Sequence, residues 1–259
     1  MHCEVYAHPK YYDIAFGWDP RKELDFLDIC FRNYGRPRTR RVLELGSGTG
    51  RLLFGLAKRG YKMIGVEKSP SMVDYVQSKS GELRLPVDTV LADMASFRLS
   101  ETVDAAFCAI NTFRYLLSEE TAGSHLDSVG MAMKPGGVYL IDFNLVGKMS
   151  SYPKKGSEEW NMSDKDTTVK AVHKVLGVPD EKKRLVIERL VLEVNVQCKH
   201  IEFLEEGPMR TYTLDQFKSL VDSSGFFRIV AWHGPNFDPN ITSDPGPESE
   251  RVVVVLKRR

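Results

Sequence analysis

The stretch Arg41-Val-Leu-Glu-Leu-Gly-Ser-Gly-Thr-Gly-Arg-Leu-Leu-Phe54 leaves a chain little choice of architecture. A short strand-like run through Val42, Leu43 and Glu44 enters a turn with glycines at Gly46, Gly48 and Gly50. An apolar helix, Leu52 to Lys58, follows at once. Strand, glycine loop and helix in that order open an α/β ligand site, where absent side chains bring a ligand against backbone N–H groups at a helix N-terminus.

The residues around the glycines narrow the ligand. A dinucleotide site needs Gly-x-Gly-x-x-Gly, and counting from Gly46 the sixth position is Arg51, so that pattern fails. The Gly-Lys-Ser/Thr of a phosphate loop is absent. Glu44 stands two residues before the first glycine, and a carboxylate there repels a pyrophosphate and attracts an ammonium group. S-adenosylmethionine is a phosphate-free donor with a sulfonium and an ammonium cation. The loop resembles motif I of the class I S-adenosylmethionine-dependent methyltransferases, matched at Glu44, Gly46, Gly48 and Gly50, with Ser47 between them. The same loop serving another small ligand is the alternative.

The resemblance implies an α/β fold: a Rossmann-like, doubly wound seven-stranded sheet whose last strand is antiparallel, with an inserted antiparallel β cap. It implies a division into an N-terminal helical lid (1–40), a core (41–147 and 210–259) and the insert (148–209). Tyr61 to Glu67 reads as a second strand ending in Glu67, placed for a ribose diol, with Lys68 next to it and Ser69-Pro70 opening a helix. Val87 to Asp93 reads as a third strand. In the family an acid at its end accepts from the adenine amine and an apolar neighbour packs on the ring, a pattern that Asp93 and Met94 match; Asp93 capping the following turn is the alternative. Val103 to Ile110 is a fourth strand, and Asn111 to Tyr115 lie beyond its carboxyl end, where ligands of open α/β sheets sit. The Asn/Asp-Pro-Pro-Tyr/Phe turn of many nucleic-acid base methyltransferases is missing there. A helix from Ser118, a Pro-Gly-Gly turn and a fifth strand, Val138 to Phe143, follow.

Residues 1–40 are rich in aromatics, and Glu23 to Tyr34 has the apolar spacing of a helix. In the family such a segment folds over the cofactor, which would put Tyr11 or Tyr12 on cofactor or substrate; plain packing is the alternative. Residues 148–167 are polar and read as a connection. Val169 to Leu176, Arg184 to Lys199 and Ile201 to Glu205 read as antiparallel strands with Gly177 to Lys183 as a turn. This insert resembles the cap over the active site of metabolite methyltransferases; a homodimer contact or a purely structural hairpin is the alternative. Thr213 caps a helix through Phe217, and two strands, Phe226 to Trp232 and Arg251 to Leu256, close the chain around a loop from Gly234 to Glu250.

Basic and acidic residues number 36 and 35, so the balance leaves no strong footprint for nucleic acid, a local patch being the alternative. The cysteines Cys3, Cys30, Cys108 and Cys198 form no Cys-x-x-Cys pair, which argues for a reducing cytoplasm without zinc or a disulfide framework. No apolar run suits a membrane span. Methyl transfer from a sulfonium is an in-line displacement that needs alignment, exclusion of water and, for amines, loss of a proton. No metal is expected, and His173, His200 and His233 show no ligand spacing. Tyr12, Tyr212 and His233 are the catalytic candidates. Asn111, Arg114, Tyr115 and Arg210 are the substrate candidates, with Arg114 or Arg210 for an acidic acceptor. The expected activity is cytoplasmic methyl transfer to nitrogen or oxygen of a small molecule. An RNA or protein methyltransferase and a non-catalytic cofactor-binding protein are the alternatives.

Overall fold

Val42, Leu43 and Leu45 are fully buried, and so is the whole of Val103–Cys108. Short runs covered on both sides are central parallel strands between two helical layers. In the computed structural model, which describes residues 5–146, 156–242, 244–246 and 251–259, they are β1 (Arg41–Leu45) and β4 (Val103–Cys108). Around them lie β2 (Lys62–Glu67), β3 (Val87–Leu91), β5 (Met133–Asn144), β10 (Phe227–His233) and β11 (Arg251–Arg258). The seven strands run in the order β10-β11-β5-β4-β1-β2-β3. The last strand, β11, is antiparallel to both its neighbours, while β1 to β5 pair in parallel.

Strand alternation sorts the core into two layers. Val42 faces the cluster of α2 (Arg21–Tyr34) and α3 (Arg51–Lys58), while Leu43 and Leu45 face that of α5 (Glu119–Ala132) and α6 (Leu214–Ser223). The helix starts are chemically marked. Ser118 with Thr121 and Thr213 with Gln216 form capping boxes, and Ser69 accepts from Met72 N at the start of α4 (Pro70–Leu83). Strand order reverses between β1 and β4, which opens a crevice beyond their carboxyl ends.

A second, four-stranded antiparallel sheet contains β6 (Ser157–Asp164), β7 (Thr167–Asp180), β8 (Leu185–Val196) and β9 (Lys199–Arg210). Part of the polar stretch expected to be a connection is therefore the strand β6, paired residue for residue with β7. As an edge strand it turns only Trp160 and Met162 to an apolar neighbour, too few to mark it in the sequence. Residues 148–155 of that stretch, like 243 and 247–250 of the loop before β11, lie outside the described residues. β7 also outruns its expected end, and the turn begins after Asp180, whose Oδ1 accepts from Lys182 N and Lys183 N.

One half of the inner face of this sheet is apolar. Val169, Ala171, Leu192, Val194 and Phe203 pack against Ile14 and Ala15 of α1 (Pro9–Ala15). The other half looks onto the crevice.

Candidate active site

The glycine loop is shaped by conformations that side chains resist. Gly46, Gly48 and Gly50 have φ of 62°, 52° and 79°. A Cβ on Gly46 would stand 2.3 Å from Thr112 Cγ2, so the loop after β1 and the turn after β4 pack backbone to side chain. Gly46 N and Ser47 N donate to Val66 O, and Gly50 opens α3 from behind the crevice.

Above the loop lies a cavity of about 1240 Å³, bounded by the carboxyl ends of the sheet, the N-terminal segment and the polar half of the second sheet. Glu44 and Ser47 are its buried polar floor. Among the described residues Glu44 Oε2 and Ser47 Oγ have no hydrogen-bond partner. Burial pushes the Glu44 carboxyl well above the usual carboxylate range, against the opposing charge of Arg51 and a bond from the Leu53 N–H. Glu67 is more fully engaged: Oε2 accepts from Gly48 N, and Oε1 from Lys68 N and Ser69 N, which locks the second loop to the first.

Further along, Asp93 Oδ1 accepts from Ala95 N at 2.8 Å and Oδ2 pairs with Lys68 Nζ at 3.2 Å. Asp93 thus caps its own turn and still borders the cavity, with Met94 beside it. Burial works against the Asp93 charge, but the Ala95 N–H and Lys68 outweigh it and hold the carboxyl low. Tyr12 reaches over Gly48 and stacks on Phe16 at 4.3 Å. Burial, with Tyr115 and Glu67 nearby, raises its phenol, so the hydroxyl stays protonated and can donate. The turn after β4 is strained: Ile110 and Asn111 have φ of 51° and 60°, and for a β-branched residue that is costly. Asn111 borders the cavity while its Oδ1 accepts from Asn144 N, tying the ends of β4 and β5. Tyr115 is on the wall too, its hydroxyl 2.5 Å from that of Tyr6.

Besides Gly50, which stands behind the wall, four expected site residues are elsewhere. Tyr11 stacks on Phe203 of the second sheet, away from the cavity. Tyr212 is wholly buried among Phe113, Phe143 and Phe217, and burial raises its phenol, so it is no base. His233 packs edge-on to Phe26, and its Nδ1 is 3.0 Å from Ile241 O, a closed structural setting off the cavity wall. Arg210 Nη1 donates to Leu117 O and Nη2 to Glu119, so it braces the core and holds no acceptor. Arg114 does border the cavity, but its guanidinium pairs with Glu188 rather than facing an acid. Tyr6, Trp160, His173, Glu188 and Glu205 line the cavity without having been marked as site residues. For the four on β6 to β9 the signal is inward alternation, which shows only once the strand register is known; Tyr6 is on a short 3-10 turn and carries no such pattern.

The family model for a methyltransferase domain matches residues 42–137, the span from β1 to the start of β5. A Geobacillus sp. (strain WCH70) protein assigned as a methyltransferase is 23% identical over 240 residues, 90% of each chain. Residues 42–137 thus form a methyltransferase domain, and the chain is similar to the class I S-adenosylmethionine-dependent methyltransferases. Solved structures share the architecture of this methyltransferase. The sugar N-methyltransferase KedS8 from Streptoalloteichus sp. superposes with a TM-score of 0.76 at 17% identity, covering 100% of this chain and 94% of its own. The amino pentose methyltransferase CalS10 from Micromonospora echinaspora, solved with its cofactor bound, gives 0.74 at 20%, covering 96% and 97%. At such identities the likeness is one of fold.

The cofactor of this methyltransferase is S-adenosylmethionine, and the floor of the cavity suits it. The partnerless Glu44 Oε2 is a buried acceptor of the kind an ammonium group satisfies. The loop lacks the free cationic side chain that a phosphate would call for. When bound, the cofactor supplies an electrophilic methyl group on a sulfonium.

Proposed function

We propose that the methyltransferase transfers the methyl group to nitrogen or oxygen of a small molecule held in the same cavity. Cavity size carries the reading. Ligand pockets measure roughly 300–1,000 Å³, and about 1240 Å³ leaves room for an acceptor beside the cofactor. The N-terminal segment through α1 acts as a lid and the sheet β6 to β9 as a cap, while α2 of the expected 1–40 lid packs on the core sheet instead; this supports an acceptor small enough to fit beneath them.

In this reading Glu44 takes the cofactor ammonium, and Gly46, Ser47, Gly48 and Gly50 shape the bed of its amino-acid part. Glu67 takes a ribose hydroxyl, on the lone pair that its three backbone bonds leave. Asp93 takes the adenine amine with Met94 against the ring, and Lys68 screens Asp93. Tyr12 covers the donor and excludes water. Asn111 and Tyr115 stand on the acceptor side. Displacement needs the acceptor in line with the breaking bond, and side chains converging from the core, the N-terminal segment and the cap meet that need by orientation. The activities of the structural neighbours, methylation of a sugar nitrogen and of an amino pentose, are in keeping with such an acceptor.

Among the described residues no helix is long and apolar enough to cross a membrane. The thiols Cys30 and Cys108 are buried and unpaired, which supports a reducing compartment such as the cytoplasm. The inner wall of the cap carries Glu158, Glu188 and Glu205, which favours a small molecule over an RNA acceptor. The test is calorimetry with S-adenosylhomocysteine followed by methyl release across amines, phenols and carboxylates. Binding with turnover on one class is expected. Binding without turnover on any acceptor favours a cofactor-binding protein, and no binding overturns the reading.

A further inference from the structure

Two residues of the cap wall are joined in a way that packing does not require. His173 on β7 pairs with Leu190, and Glu188 on β8 pairs with Val175, so the two are diagonal neighbours on the face turned to the cavity. His173 Nε2 is 2.8 Å from Glu188 Oε2, and Arg114 Nη2 is 2.7 Å from Glu188 Oε1. Arg114 is itself anchored, its Nε donating to Arg210 O at 2.9 Å. Side-chain exposure rises along the series, from 2% at Arg114 through 10% at Glu188 to 33% at His173, so the imidazole is the end that meets the cavity.

A carboxylate only accepts, so Glu188 selects the His173 tautomer with its proton on Nε2 and leaves Nδ1 as an acceptor. Burial works against the Glu188 charge, but the bond from His173 and the charge of Arg114 outweigh it and hold the carboxyl at about 2. A base oriented by an anion that is itself clamped is the arrangement by which enzymes prepare a proton acceptor.

We propose that His173 is the general base of the methyl transfer, that Glu188 and Arg114 are its positioning residues, and that the acceptor is an aliphatic amine arriving as its ammonium ion. The proposal rests on the methyl-transfer reading above.

The surroundings of His173 select the amine. Glu158 stands opposite it on β6, Glu188 beside it on β8 and Glu205 on β9, while among the described residues the cations bordering the cavity are Arg51, Lys68, Arg114, Arg189 and Arg251. Each of these is held by a carboxylate: Arg51 by Glu23, Lys68 by Asp93, Arg114 by Glu188, Arg189 by Glu206, and Arg251 by Asp142 at 2.7 and 2.8 Å. The wall therefore draws a cation and repels a carboxylate. An alkylammonium has an acidity near that of lysine, about 10.4, which an oriented imidazole can relieve of its proton.

The step balances. His173 Nδ1 takes one proton from the ammonium, which frees the nitrogen lone pair. That pair forms the N–C bond as the C–S bond breaks and its electrons return to sulfur. The product leaves as the methylated ammonium ion, and the imidazolium, paired with Glu188, gives its proton to water.

The test compares the wild-type chain with His173→Gln, at a position exposed enough to accept the change, with a thermal melt as the check on folding. On an aliphatic amine at pH 7, kcat/KM is expected to fall about 10²-fold, with the S-adenosylhomocysteine Kd unchanged. The variant should regain activity as pH rises, by about tenfold per unit, because water then deprotonates the amine in place of the base. The wild type lacks that steep rise. An unchanged rate and pH profile in His173→Gln overturns the assignment of the base. Turnover on alcohols or carboxylates but on no amine overturns the acceptor class. Failure to bind S-adenosylhomocysteine, or turnover on nothing, marks a failure of the underlying methyl-transfer reading, and the base assignment falls with it.

Discussion

Glu44 answers to two demands that conflict until a cation arrives. Burial raises its carboxyl well above the ordinary range, so the folded apoprotein keeps a proton that the unfolded chain releases. By linkage, the stability that Glu44 supports is whole below its unfolded value of about 4.5 and is lost as pH rises through the higher folded value. Glu44→Gln keeps the shape without the charge, so at pH 7 its apoprotein should melt at least about 3 °C higher, of the order 1 kcal/mol gives in a chain this size. The same variant loses a charge-assisted bond worth roughly 1.5–3 kcal/mol, and its S-adenosylhomocysteine affinity should drop about tenfold or more by calorimetry. Wild-type binding should also release a proton, so its enthalpy should vary with the ionisation heat of the buffer, and that of the variant should not. A lower melting temperature or an unchanged affinity would remove Glu44 from the role proposed for it.

At the scale of elements, α5 is fastened to the sheet through one buried histidine. His125 Nδ1 is 2.8 Å from Met94 O and Nε2 is 2.6 Å from the Tyr139 hydroxyl, so the ring bonds to both as a neutral group. Burial, only partly offset by the Met94 carbonyl and Asp93, brings it from 6.5 down to about 4. A depressed histidine makes the unfolded chain the better proton binder between those values, so stability falls as pH drops from about 6.5 to about 4. Urea unfolding across that window should show a loss of about 3 kcal/mol in the wild type, absent from His125→Gln. The elements differ in how well the sequence announces them. β1, the glycine loop and α3 were legible because positive φ at Gly46, Gly48 and Gly50 excludes most other residues, which leaves a mark in the letters themselves. Acids at strand ends were visible for the same local reason. β6 was not, since an edge strand can be polar nearly throughout. The contact of His173 with Glu188 depends on the β7–β8 register, and an irregularity between Leu176 and Asp180 hides that register from any count of residues. Tyr212, His233 and Arg210 failed as site residues because burial, not position along the chain, decides what a polar group can reach.

For the molecule as a whole, the controlling contact is the one the N-terminal helix makes with two bodies at once. α1 lies between the core and the second sheet. Its Asp13 accepts from Tyr75 at 2.7 Å and Lys79 at 2.8 Å on α4, and its Ala15 carbonyl accepts from Trp160 Nε1 at 2.6 Å on β6. Tyr12 on the same helix covers the glycine loop, so a ligand beneath it leaves only when α1 lifts. Lifting breaks the partly exposed Asp13 contacts, which are worth up to about 1 kcal/mol, while the apolar packing on the second sheet can travel with the helix. Asp13→Ala should therefore speed S-adenosylhomocysteine release about fivefold, the rate equivalent of 1 kcal/mol, and lower the melting temperature by no more than about 4 °C. Trp18 and Trp160 stand edge to face at 6.3 Å beside the cavity, whereas Trp232 is sealed in the core, so stopped-flow tryptophan fluorescence reports the lid directly. If release keeps its wild-type rate while α1 amides stay equally slow to exchange with and without ligand, the helix is a fixed wall, and entry must run through the second sheet instead.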